Sequence, residues 1–195
     1  MSDDLWVFGY GSLVNAETHG YAECRPARLK GWRRHWRHWI NGPTRFVTSL
    51  TAEPDEHVDI DGLIARVPAP EWHALDQRER GYRRVDIPAD QIAHSVPGSP
   101  RIITYQSETS RPGDAELPIL QSYLDCVLQG FSRIYGADGI AHFLDTTEGW
   151  HVPIKRDRGA PIYPRAITVT DQEATEFDRV LAAHGAVWLE ETDPR

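Results

Sequence analysis

The chain has 195 residues, 40% of them hydrophobic and 10% aromatic, with a formal net charge of −8. That length and apolar content predict one folded domain over residues 1–195 and exclude a disordered chain. The negative charge disfavours nucleic acid and anionic membrane as partners, and no stretch reaches the ~20 apolar residues of a spanning helix. The N-terminus has no basic block followed by an apolar one, as an export signal would. Cys24 and Cys126 form neither a C-x-x-C pair nor a disulfide framework, so reduced thiols in a cytoplasmic protein are expected.

Leu5-Trp6-Val7-Phe8 is a short apolar run closed by glycine and reads as a buried strand. From Lys30 to Ile40 the chain alternates, with Arg33, His35 and Arg37 on one face and Trp32, Trp36 and Ile40 on the other. Phe46 to Thr51 predicts another strand, Glu53-Pro54-Asp55-Glu56 a turn, and Val58 to Val67 a further strand, as in a meander or part of a barrel. Pro70 opens a helix that runs to about Arg80 and stops at Gly81. Strands follow at Arg83 to Ile87 and Arg101 to Gln106, and Ser107 to Asp114 reads as an exposed loop. Apolar residues from Leu117 to Ile134 recur at three and four, which predicts a helix with one apolar stripe, and a shorter helix is expected over Ile140 to Asp145. Trp150 to Arg165 is rich in proline and charge and reads as ordered surface loop. Thr170 with Glu173 forms a capping box that starts a last helix. Strands fill the first half and helices the second, which makes the fold class α+β.

Two places carry candidate chemistry. The first strand ends in Gly9-Tyr10-Gly11-Ser12-Leu13, where successive backbone N–H groups can form an anion-binding concavity, although a plain turn has the same pattern. The dinucleotide fingerprint fails because position 14 is Val14, no Gly-Lys-Ser/Thr follows, and Ser12 lacks the glycine of a nucleophile elbow. Ser12 is therefore read as a hydrogen-bond donor. The second place is the helix end. Trp72, Leu75, Asp76 and Glu79 share a face, so Glu79 either lies in a pocket, where burial would raise its pKa, or pairs with Arg78, Arg83 or Arg84. Spacing alone favours the pairing.

Other signals are weaker. His57-x-Asp59-x-Asp61-Gly62 lacks the closing glutamate of a calcium loop, Pro68 standing in its place. His35 and His38 fall on opposite faces of a strand, so no metal site is expected. The cations and indoles of Lys30 to Trp39 read as a solvated strand face over a Trp-lined core rather than as a single-strand binder.

Val7-Phe8-Gly9-Tyr10-Gly11-Ser12-Leu13, followed by Leu75-Asp76-Gln77-Arg78-Glu79-Arg80-Gly81-Tyr82-Arg83-Arg84-Val85 and Ile103-Thr104-Tyr105, resembles the γ-glutamylcyclotransferase-like superfamily, with motifs in family order. The Gly-Tyr-Gly-Ser-Leu form is nearer the ChaC-type branch. The resemblance implies a small mixed β-barrel with flanking helices and the cyclisation of a γ-glutamyl compound to 5-oxoproline with release of an amine or amino acid. It implies Glu79 as catalytic acid/base, and Tyr10, Gly11, Ser12 and Leu13 as the substrate-binding loop, with Tyr105 lining the pocket. The expected partner is a small γ-glutamyl substrate, and neither cofactor nor metal is required. The competing readings are a γ-glutamylamine cyclotransferase of a biosynthetic pathway and a non-catalytic small-molecule binder on the same fold.

Overall fold

The computed structural model describes residues 5–41, 46–107 and 112–189, with the side chains of 38–41 and 46 left undescribed. Among the described residues, nine strands form one sheet and three helices pack around it. The strands are β1 (Leu5–Gly9), β2 (Cys24–Asn41), β3 (Phe46–Arg66), β4 (Tyr82–Ile87), β5 (Ile92–His94), β6 (Arg101–Ser107), β7 (Ile119–Leu120), β8 (Thr147–Glu148) and β9 (Ile154–Lys155). The helices are α1 (Trp72–Arg78), α2 (Gln121–Asp145) and α3 (Asp171–His184). The main order is β4-β6-β1-β3-β2-β5, with β7, β8 and β9 attached beside it. The fold is α+β, as the sequence predicts.

β1 lies in mid-sheet, parallel to β6 and antiparallel to β3. Trp6 and Phe8 face the main core, while Val7 faces a second cluster with Leu13, Leu75, Ile103 and Tyr105. Burial on both faces explains why β1 is a continuous apolar run rather than an alternating one. Its C-terminal end delivers the glycine loop to the edge where α1 ends.

β2 and β3 form a long hairpin, and here one expectation is corrected. Glu53 to Glu56 does not end a strand: Trp32 pairs with Pro54 and Lys30 with Asp59, so the pairing resumes beyond a wide bulge. Gly31, at φ +71°, sits opposite the extra residues. A glycine in the left-handed region is what such a bulge needs, and proline is tolerated beside it because the ladder is already interrupted there. Trp32, Arg34 and Trp36 point into the core, while Arg33, His35 and Arg37 pair with Asp55, Glu53 and Glu148 on the other face.

A 3-10 turn at Ala69–Glu71 holds Pro70, and α1 follows from Trp72. Gly81, at φ +97°, lets the chain reverse from α1 into β4. The two predicted helices of the second half are both present, end to end within α2, and meet at a sharp kink where Gly136 leaves helical geometry (φ +69°, ψ −156°). Leu117 and Leu120 precede it, and the expected single stripe is absent, since every residue from Gln121 to Phe131 is buried. This first stretch is covered by the sheet, by α3 and by the segment 150–165, so no face of Gln121–Phe131 is left to water, whereas Arg133, Asp138 and Asp145 further along are exposed. That segment is not merely a surface loop: Val152, Ile154 and Asp157 are buried and β9 joins the sheet. α3 starts with the predicted capping box of Thr170 and Glu173. The predicted loop at Ser107 to Asp114 falls partly outside the described residues.

Candidate active site

A concavity lies where β1 ends, with an enclosed part of about 40 Å³ and about 330 Å³ including its mouth. Its walls bring together all six residues singled out in the sequence: Tyr10, Gly11, Ser12 and Leu13 from the loop, Glu79 from the end of α1, and Tyr105 from β6. Phe8, Gly9, Leu50, Tyr82 and Tyr123 complete it.

The loop owes its glycines to close packing. Neither Gly9 nor Gly11 has a positive φ. A Cβ on Gly9 would lie 2.5 Å from Leu13 Cβ, and one on Gly11 would lie 2.9 Å from the Tyr123 hydroxyl. Val14 N–H closes a short 3-10 turn on the Gly11 carbonyl, while the N–H groups of Gly11, Ser12 and Leu13 donate to no group among the described residues. Gly11→Ala is expected to lose about 1–3 kcal/mol of stability through overpacking. Tyr123→Phe removes the opposing oxygen and should restore part of it in the double variant, a coupling that urea unfolding of the four proteins would read.

Beneath the loop lies Arg34, fully buried in the core. Its Nε donates to the Tyr10 carbonyl (3.0 Å), and its two terminal nitrogens donate to Thr146 Oγ1 (2.7 Å) and to the Asp61 carbonyl. The guanidinium also lies over the rings of Phe131 and Phe143 at 4.9 and 5.2 Å. Burial lowers its pKa to about 9, which leaves it cationic at neutral pH. Because the Tyr10–Gly11 peptide is trans, a carbonyl held inward by Arg34 sends the Gly11 N–H the other way, out of the core.

Glu79 caps α1, its N–H bonded to the Leu75 carbonyl at 2.9 Å. Its side chain is 17% exposed and Arg78 Nε lies 3.0 Å from Oε1. Both sequence readings therefore hold: the carboxylate lies in the pocket and it pairs with Arg78. The same guanidinium reaches Ser12 Oγ (3.2 Å), Thr18 Oγ1 (3.1 Å) and the Thr18 carbonyl (2.9 Å), tying the helix end to the loop. Burial raises the Glu79 pKa despite the opposing charges of Arg78 and Arg165.

Four tyrosines surround this carboxylate, and burial raises the pKa of each, so all are neutral phenols at physiological pH. Three have committed their protons. Tyr10 donates to the Tyr105 carbonyl (2.6 Å), Tyr105 to Asp76 Oδ1 (2.6 Å), and Tyr82 to the Leu50 carbonyl (2.7 Å). The Tyr123 hydroxyl has no hydrogen-bond partner among the described residues, which leaves its proton for a ligand. Arg34, Tyr82 and Tyr123 escaped the sequence reading as site residues, whereas Arg78 entered it as a candidate partner of Glu79. Tyr82 alone carried a local signal, standing three residues after Glu79.

The fold is that of a γ-glutamyl cyclotransferase. A solved structure of a "Gamma-glutamyl cyclotransferase" aligns over 90% of this chain and 98% of its own, at TM-score 0.57 and 13% identity. The uncharacterized protein loc79017 from Homo sapiens aligns over 89% and 97%, at TM-score 0.53 and 13% identity. YkqA from Bacillus subtilis aligns over 74% of this chain and 56% of its own, at TM-score 0.52 and 18% identity. No curated relative matches. The model of the ChaC-like protein family matches residues 5–113, more than half of the chain, and the chain belongs to that family.

Proposed function

We propose that the protein cyclises a γ-glutamyl compound, a γ-glutamyl amino acid or glutathione, to 5-oxoproline and releases the amine-bearing remainder. The observation that carries this reading is the placement of one carboxylate, Glu79, in the cavity also lined by Gly11, Ser12 and Leu13, whose N–H groups have no partner among the described residues, with burial raising the carboxylate's pKa.

In this reading the loop N–H groups grip the substrate's α-carboxylate, and Arg34 from below keeps the first of them turned outward. The substrate's α-amine has a pKa of about 7.7–8 in the free state, close enough for a carboxylate of raised pKa to accept its proton. The freed amine attacks the γ-carbonyl of the same molecule. Glu79, now protonated, delivers the proton to the departing nitrogen as the amide C–N bond breaks, and the carboxylate so regenerated takes the proton that the new ring nitrogen sheds and passes it to the released amine. Tyr123 donates its uncommitted proton to an oxygen of the bound glutamyl group. No covalent enzyme intermediate is needed, in keeping with Ser12 accepting a hydrogen bond from Arg78 rather than facing a base. Folding the substrate so that its amine meets its own carbonyl supplies much of the acceleration, since well-oriented intramolecular reactions reach effective molarities of about 10⁵–10⁸ M.

The test is incubation of the purified protein with glutathione and a set of γ-glutamyl amino acids and amines, with 5-oxoproline measured. Turnover of at least one compound is expected. Tight binding of these compounds with no 5-oxoproline formed would instead identify a binding protein on this fold.

A further inference from the structure

The segment 150–165 lies beyond residues 5–113, the part of the chain that the family model matches, yet it packs behind one wall of the site. It is held firmly. The buried Asp157 carboxylate accepts from Ser122 N–H (2.7 Å), Ser122 Oγ (2.6 Å) and Ile162 N–H (2.9 Å). Next to it, Arg158 forks onto Asp125 of α2 (2.7 and 2.8 Å) and Asp178 of α3 (2.8 and 3.0 Å). The Tyr163 N–H donates to the same Ser122 Oγ (3.3 Å), one residue before Tyr123.

Tyr123 presents a hydroxyl to the cavity, and no hydrogen bond within the described residues aims it. Its side-chain torsions must then be fixed by packing. Two aromatic edges do this. Tyr163 meets the Tyr123 ring with centroids 5.0 Å apart and planes at 71°. Trp36 meets it at 5.9 Å and 82°. Trp36 is backed in turn by Trp150 (5.5 Å, 69°), whose Nε1 donates to the Leu144 carbonyl (3.2 Å). The segment therefore supplies one edge against Tyr123 and braces the other. Edge-to-face contacts of this kind favour one relative orientation of the rings. The aim matters because the hydroxyl stands beside the loop: the Cβ that Gly11 lacks would lie 2.9 Å from it. A swing of the ring changes directly how far its proton stands from a ligand gripped by the loop.

We propose that Tyr163, which does not itself line the cavity, is a positioning residue whose ring edge holds the Tyr123 phenol where it can donate to the bound glutamyl group. This rests on the cyclotransferase reading and adds to it a residue that acts through Tyr123. The Tyr163 hydroxyl lies toward Ser12, so the same side chain also touches the loop.

A double-mutant cycle on Tyr123 and Tyr163 tests this, with kcat/KM for 5-oxoproline formation from the compound the parent turns over best. Tyr163→Leu should lower kcat/KM roughly 10- to 100-fold, the cost of a misplaced donor. In the Tyr123→Phe background, where no hydroxyl is left to aim, the same substitution should cost less than about 2-fold. Tyr163→Phe keeps the ring edge and should recover most of the loss. Urea unfolding checks that each variant is folded in the assay. Should Tyr163→Leu not fold, Tyr163→Met, closer to the ring in volume, takes its place in the cycle. An equal loss with and without the Tyr123 hydroxyl, or a Tyr163→Phe variant as impaired as Tyr163→Leu, overturns the assignment and leaves the cyclotransferase reading standing. No 5-oxoproline from any γ-glutamyl compound with the parent overturns both.

Discussion

Glu79→Gln is expected to fold, keep its cavity and form 5-oxoproline about 10²–10⁴-fold more slowly than the parent. Glutamine keeps the shape and can still meet Arg78, but it takes no proton from an amine. In the parent, activity should rise with pH as Glu79 loses its proton, with the inflection above 4.5, the ordinary glutamate value, because burial favours the neutral acid. Stability should move the opposite way. The folded state holds this proton to higher pH than the unfolded chain does, so between the two pKa values the native state binds more protons and unfolding free energy falls as pH rises. The variant lacks this loss. Denaturant unfolding between about pH 4 and about pH 8 should therefore show Glu79→Gln gaining on the parent as pH increases. Equal rates of product formation would remove Glu79 from its role, and a stability gap that runs the other way would show the carboxylate to be stabilised rather than strained by its surroundings.

The second large effect is expected at Arg34. Arg34→Met leaves the Tyr10 carbonyl, the Asp61 carbonyl and Thr146 Oγ1 without their shared donor in a dry core. Each stranded acceptor costs about 1–3 kcal/mol, and relief from burying a charge offsets part, for a net loss of about 3 kcal/mol. Arg34→Lys keeps the charge but cannot fork to three acceptors and should fall between. Folded Arg34→Lys protein should show a raised KM with kcat less affected, since the freed Tyr10 peptide no longer aims its N–H at the bound anion. A Met variant as stable as the parent in urea would show that the three bonds carry no net weight.

Much of this was legible in the sequence because it depends on local pattern. The apolar run ending in Gly-Tyr-Gly-Ser-Leu located β1 and its loop, and the Pro70 helix with Gly81 placed Glu79 at a helix end. Thr170 and Glu173 marked the start of α3. The parts that were missed depend on distant partners. Pro54 reads as a turn because proline interrupts a ladder, and only pairing with β2 reveals that the strand continues past a bulge. The stripe of α2 was over-read because its first half, covered on all sides, hides its polar residues too: Gln129 is buried and bonded to Asn15, and Asp125 to Arg158. Arg34 sits among charged neighbours that face water, and its inward placement follows from strand parity with Trp32 and Trp36. Glu79 shows why spacing left two readings open: one salt bridge to Arg78 serves the helix end and the pocket at once.

The anchoring of residues 150–165 has a bearing on how such proteins diversify. The carboxylate assigned to proton transfer and the glycine loop come from the first half of the chain, whereas residues 150–165 are clamped to α2 and α3 through Asp157 and Arg158. An exchange of this clamp between relatives would alter the packing behind Tyr123 and leave Glu79 and the glycine loop in place, so one wall of the cavity can vary within one small domain while the other stays fixed.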